Sequence, residues 1–192
     1  ERVRLVSYTP RNELDLLPSM LYESLDLPMN EVKATVETWP YEVKSQLFLD
    51  YVRQYPNGKA LTGATYEWDF LTEFGLLQDL PDEVRSRVKL QPLTPRYGYD
   101  VPTEIEAAGL SDDYDAIFDQ SLQLQSSLQA RGFTIESQYA TLFGHKQRWS
   151  TALPIRAIAD GLAGNSALTR VMADLIAEKH PMLSEAVIKL LD

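Results

Sequence analysis

The sequence predicts a single α/β domain, rich in helix and carrying few strands. Three observations lead there. Apolar residues recur at helical spacing over much of the chain, as in Leu14, Leu17, Leu21 and Leu25. Two short stretches, Val3 to Tyr8 and Thr65 to Phe70, alternate at a period of two instead. Proline and glycine fall between these segments without forming a linker, a repeat or a low-complexity tract that would divide the 192 residues.

In order, Val3 to Tyr8 reads as a strand stopped by Pro10, and Asn12 as the N-cap of a helix running to Leu25. Asn30 is expected to cap a second helix with Val32, Val36 and Trp39 on one face, and Pro40 to start a third that runs to about Tyr55. Pro56-Asn57-Gly58 is a turn by its chemistry. Thr65 to Phe70 places Tyr66, Trp68 and Phe70 on one side and Glu67 and Asp69 on the other, a half-buried strand. Pro81 with Asp82 and Glu83 signals a helix start. Gln91 to Pro102, with three prolines and Gly98, is a loop. Ser111 opens an acidic first turn and a helix to about Ala130, with Ile117, Leu124 and Leu128, beside Phe118, as its apolar stripe and Gly132 as C′. Further helices are expected at Glu136–Phe143, about Leu153–Leu162, and Ser166–Lys179, the last ended by Pro181. Gly161 to Ser166 reads as a helix-to-helix turn with an Asn-Ser cap, since its glycine spacing is not that of a dinucleotide fingerprint.

Composition removes several classes of function. The contents of 44% hydrophobic and 24% charged residues are those of a globular protein. No apolar run approaches the ~18 residues of a membrane span. A net charge of −10 argues against a nucleic-acid polymer as partner, though one or two arginines suffice to hold a mononucleotide. With no Cys there are no disulfides, thiolate metal sites or Cys nucleophiles, which fits a cytoplasmic protein. His145 and His180 lack any metal-spacing partner, so no metal is expected. Beginning at Glu1 rather than Met suggests a trimmed chain or a domain cut from a longer one.

The best functional candidate is the loop Thr94-Pro95-Arg96-Tyr97. An arginine beside a hydroxyl can grip phosphate through charge-assisted bonds, or it can pin a proline-rich turn through carbonyls. Arg85, Arg87 and Lys89 follow the helix start, where two first-turn acids would repel a phosphate, so a solvated face is the simpler reading. Arg148 and Arg156, with Lys146, form a second basic group. Eight residues apart, the two arginines would share a helix face if Pro154 did not interrupt it. Asp112-Asp113-Asp115 lacks calcium-loop spacing and reads as a capped helix start.

The run Pro92-Leu93-Thr94-Pro95-Arg96-Tyr97-Gly98-Tyr99-Asp100-Val101-Pro102 resembles the "LS-x-R-x-GY-x-VP" segment of tandem-repeat flavin-dependent thymidylate synthases. The opening VRLVSYTP resembles that family's first strand, and TYEWDFL its "YYTFDIL" strand. GHKQRWSTALPIRAIADGL is similar to its "R-x-R-…-MN-x-RE-…-ELR" helix region, and LTRVMADLIAEKHPMLSEA to its closing helix. The resemblance implies an α+β fold with a small, mostly antiparallel sheet. It also implies the family reaction, methylation of dUMP to dTMP with FAD, NADPH and methylenetetrahydrofolate, in active sites between subunits of a homotetramer.

Carried over position by position, the resemblance puts Thr94 and Arg96 at dUMP-contacting positions and matches Arg148 and Arg156 to arginines of the later motif. The family's Arg-His-Arg signature falls on Asp82-Glu83-Val84, or on Arg85-Ser86-Arg87 with a gap, which makes Arg85 and Arg87 the candidate flavin contacts. Leu61-Thr62-Gly63 stands where the Glu/His flavin region would be, Pro154 where the motif has Asn, and Ala163-Gly164-Asn165 where it closes Glu-Leu-Arg. The expectation is a degenerate copy, with FAD weakly held or absent, acting by homo-oligomerisation or by assembly with a catalytic copy. The alternative is an active enzyme whose site another subunit completes. Retained flavin discriminates the two. A third reading is a relative in fold alone, with an unrelated ligand.

Overall fold

In chain order the elements follow from local chemistry. The computed structural model describes residues 3–159 and 166–191. Strand β1 is Val3–Thr9. The single expected helix up to Leu25 is instead three short pieces: a 3-10 turn Glu13–Leu16 capped by Asn12, helix α1 at Leu17–Leu21, and a 3-10 turn Tyr22–Ser24. Pro18, at the start of α1, has no N–H to continue the ladder from the turn before it. Helix α2 is Met29–Glu37, with Pro28 at its N-cap and Asn30 already inside its first turn. Pro40 is likewise the N-cap of α3, Tyr41–Gln54, one position before the expected N1. Strand β2 runs Thr65–Glu73, three residues past the expected end.

Helices α4, Leu76–Asp79, and α5, Asp82–Arg85, are single turns, and β3 is Lys89–Leu90. The loop that follows contains one 3-10 turn, Pro95–Tyr97. Helix α6 is Thr103–Ala107, and α7 is Ser111–Ala130, closed by Gly132 at φ +88° as expected. The segment expected as a helix at Glu136–Phe143 is a 3-10 turn over Glu136–Ala140. Strand β4, Lys146–Pro154, occupies residues that the family comparison assigned to a helix region. Gln147, Trp149, Thr151 and Leu153 alternate into the core there, a period of two that rules out a helix. Helix α8 is Ile155–Ala159, α9 is Ser166–Ala177, and α10 is Pro181–Leu191, where Pro181 begins a helix as well as ending one. The end of the helix expected up to Leu162, and the turn before Ser166, lie outside the described residues.

The strands form one antiparallel sheet in the order β1-β2-β4-β3. Lys89 pairs with Ser150 and Leu90 with Trp149. The chain divides into two units, and β2 and β4 pass through both.

The first unit comprises Asp69–Leu80 and Val88–Ser150. Its centre is Phe70 stacked on Trp149, ring centroids 4.0 Å apart and 13° from parallel. Phe118 of α7 lies 4.0 Å from Tyr99 and 4.6 Å from the buried His145, centroid to centroid. Burial lowers the His145 pKa, and its Nδ1 accepts the Leu142 N–H at 2.9 Å.

The second unit comprises residues 3–68, 81–87, 151–159 and 166–191. Here α10 packs on α3, α8 and α9, and α1 on α2 and α3. The buried Glu13 carboxylate accepts the N–H groups of Leu183 at 2.9 Å and Met182 at 3.3 Å, closing the amino end of α10. Burial raises its pKa against those two bonds. Burial also holds Tyr66 protonated, and its hydroxyl lies 2.7 Å from His180 Nδ1, whose pKa burial lowers. Among the described residues no helix is long and apolar enough to cross a membrane.

Two measurements check these cores. Trp149→Ala removes half of the stacked pair and is expected to cost about 3–5 kcal/mol in denaturant unfolding. The second concerns pH. Both histidines have folded pKa values below the ordinary 6.5, so the unfolded chain takes up protons first as pH falls. Their contribution is complete above pH 6.5 and is lost on acidification toward the lower folded values. Glu13 acts in the opposite sense, contributing below pH 4.5 and losing that contribution as pH rises through its raised folded value. Melting temperatures between pH 7 and 5 should therefore fall less steeply in His145→Gln than in the native chain.

Candidate functional site

The loop between β3 and α6 is built as a rigid platform. Its sequence supplies the turn: the Thr94 hydroxyl accepts the Arg96 N–H at 3.2 Å and caps Pro95–Tyr97. Gly98 leaves the turn at φ +76°, a conformation that a side chain would strain. Both ends are tied to β4, through Gln91 N–H to Arg148 C=O at 3.2 Å and Lys146 N–H to Gly98 C=O at 2.8 Å.

Three glutamines hold the middle. Gln147 accepts the Thr94 N–H at 3.1 Å and donates to the Thr94 carbonyl at 2.7 Å, so one side-chain amide stands in for a neighbouring strand. Gln138 accepts the Leu93 N–H at 2.8 Å, and the Gln125 amide nitrogen lies 3.2 Å from the Thr94 hydroxyl. Gln125 and Gln147 are each 1% exposed. Buried amides are tolerated only when their bonds are made, so these contacts fix one loop conformation.

On this platform Arg96 donates to the Gln129 carbonyl at 3.1 Å. Arg148 donates to Asp69 at 2.8 Å and lies over the Tyr97 ring, 5.9 Å from its centroid. Tyr97 in turn donates to Gln91 at 3.1 Å. Arg148 therefore stands on a strand and meets the loop at Tyr97. The hydroxyl of Tyr99 donates to Asp115 at 2.7 Å; that bond, aided by burial, pushes its pKa up to about 12. The loop thus carries Arg96 bonded to a neutral amide, and its Tyr97 ring lies under Arg148, which is itself paired with Asp69. His145 of the same unit is buried, and burial lowers its pKa.

The remaining candidates belong to the second unit. Arg85 pairs with Asp82, and Arg87 lies 3.6 Å from Glu83. Val84 between them is 2% exposed and serves the core. Arg156 is exposed on α8. Thr94, Arg96 and Arg148 are thus brought into one unit, while Arg85, Arg87 and Arg156 stand in the other. Among the described residues no group of His, Asp and Glu is arranged to hold a metal ion. Sequence reasoning missed Gln125, Gln138, Gln147, Gln129 and Asp69. The available signal was the alternation through Gln147, Trp149, Thr151 and Leu153, which puts Gln147 on the inward side of a strand.

The chain is similar in structure to a UMP/dUMP methylase, PolB from Streptomyces cacaoi, whose crystal structure has 5-Br dUMP bound. The TM-score is 0.71 at 11% identity, over 97% of this chain and 94% of that one. At that identity the likeness shows a shared fold, helix-rich with a small antiparallel sheet. No protein-family model matches the sequence, and no curated protein matches it.

The clamp is testable. Gln147→Leu leaves the Thr94 N–H and carbonyl unpaired and is expected to cost about 1–3 kcal/mol. Hydrogen exchange at the Leu93 and Thr94 amides should accelerate by more than the global loss of stability accounts for.

Proposed function

We propose that this chain is a non-catalytic, thymidylate synthase-like protein that acts through assembly and retains a weak site for a uridylate-type mononucleotide. One observation carries the first half. At the position where the family resemblance expects Arg-His-Arg, the chain has Asp82-Glu83-Val84. The two acids are held by Arg85 and Arg87, and the valine is in the core. Two carboxylates in place of two guanidinium groups turn an attraction for a diphosphate into a repulsion. Arg85 and Arg87, the alternative contacts, are already engaged by those acids. These residues do not fit FAD.

The second half rests on the partners of the loop arginines. Gln129, which holds Arg96, is a neutral and exposed amide. A phosphate makes a stronger, charge-assisted bond and displaces it at small cost. Arg148 lies over the ring of the next residue, Tyr97, and the structurally similar PolB was crystallised with a uridylate analogue.

Two measurements test the proposal. After incubation with FAD and removal of the excess, the protein should show no flavin absorption; a retained flavin spectrum overturns the non-catalytic reading and favours an enzyme completed by another subunit. Calorimetric titration should detect weak dUMP binding, reduced about tenfold or more in Arg96→Ala, as loss of a hydrogen bond to a charged group implies. The variant's melting temperature should stay near that of the native chain, and an equal loss of stability without ligand would make Arg96 a loop pin.

A further inference from the structure

Helix α7 is packed against expectation. Phe118, Ser121 and Gln125 face inward, at 5%, 6% and 1% exposure, while Ile117 and Leu124 are 54% and 52% exposed. The inward polar groups are satisfied, Ser121 by the Ala140 carbonyl at 2.5 Å and Gln125 by Thr94, so the inversion belongs to the fold. It leaves an apolar strip on the outside of a 20-residue helix.

The strip has charged ends of opposite sign. At about 3.6 residues per turn, Asp113, Ile117, Leu124 and Arg131 fall within about 40° of one another around the axis. Asp113 and Arg131 are both exposed and stand five turns apart, about 27 Å. Gln120 and Ser127, also exposed, lie beside the strip and are neutral. The other acids of the helix, Asp112, Asp115 and Asp119, lie at least about 100° away around the axis, so the strip itself carries no net charge.

We infer that this strip is a self-complementary docking surface whose occupant is α7 of a second copy of this chain, lying antiparallel across a two-fold axis near its midpoint. An isologous contact requires a surface to match its own rotated image. Here rotation sets Asp113 against Arg131 of the other copy, and Arg131 against its Asp113. That register sets Ile117 opposite Ser127 and Leu124 opposite Gln120 of the other copy, so Ile117 of each copy comes within about one helical turn of Leu124 of the other, between the two ion pairs, and the helix dipoles oppose. A basic partner protein would not need Arg131 in the strip, and a purely apolar one would not need Asp113. One helix face is small for an interface, so the association is weak and concentration-dependent. The inference extends the assembly reading above by naming the partner and the surface.

Sedimentation velocity of the whole chain from about 1 µM to about 1 mM tests it. The expected result is a monomer–dimer equilibrium in that range. Asp113→Arg and Arg131→Asp should each raise the midpoint about tenfold or more, because each sets like charges opposite one another. The double variant Asp113→Arg/Arg131→Asp should restore the midpoint, and Ile117→Glu/Leu124→Glu should remain monomeric. Circular dichroism melts confirm that each variant is folded. A native chain that stays monomeric, a midpoint indifferent to the charge variants, or a double variant that fails to recover overturns the inference. These outcomes are separate from the flavin measurement: retained flavin would refute the non-catalytic reading and leave the strip intact, whereas a monomer would refute the strip and self-assembly and leave the flavin and dUMP results untouched.

Discussion

The aromatic face of β2 is the constraint on which the rest depends. Tyr66, Trp68 and Phe70 are completely buried, and a strand with one face so committed has a single tolerable register. In the first unit Phe70 fixes Trp149 by stacking, which fixes the phase of β4. With Trp149 inward, Gln147 is inward too and reaches Thr94, while Arg148 must emerge on the opposite face beside Asp69. The position of the loop arginine's neighbour is thus a consequence of core packing. In the second unit Tyr66 performs the corresponding task for His180, the residue from which α10 departs.

Neutral amides hold the middle of the loop, and the Lys146–Asp100 ion pair at 2.6 Å holds its far end. Gln125, Gln138 and Gln147 satisfy the backbone of Leu93 and Thr94 and the threonine hydroxyl, while Arg96, Arg148 with Asp69 and Lys146 with Asp100 carry charge around them. Buried neutral bonds hold a shape without setting up a field that would oppose an anionic ligand. The half-buried pair Arg148–Asp69 adds modest stability, since water still reaches both side chains. Such a division fixes the middle of the loop and leaves Arg96 on its exposed side, bonded to the Gln129 amide. In α5 the same residue types do the opposite: acids and arginines one turn apart neutralise each other within the helix.

Much was legible from residue order. β1, the aromatic alternation of β2, the extent of α7 with Gly132 after it, and α9 were all readable, because each is signalled by period, cap or breaker within a few residues. Likewise the Thr94–Arg96 loop was identified from its own prolines and its hydroxyl. The failures share a cause. The helix expected after Asn12 broke into three pieces, and 146–154 became a strand, where short segments carried signals of both kinds. The inner face of α7 was misassigned because hydrophobicity ranks Leu124 above Gln125, whereas the loop beside it needed an amide.

By itself, then, the sequence determined the elements marked by a clear period, cap or breaker, where the chain turns, and that a proline-bounded loop carrying Arg96 exists. These are set by backbone sterics and by contacts within about four residues. Only the tertiary structure decided which face of α7 is inside, which acid each arginine meets, and which glutamines hold the loop. Those partners lie far apart in sequence: 31 residues separate Thr94 from Gln125, 53 separate Thr94 from Gln147, and 79 separate Asp69 from Arg148. A hydrogen bond or ion pair is directional and short-ranged, so it is defined only once the sheet has brought its two ends together.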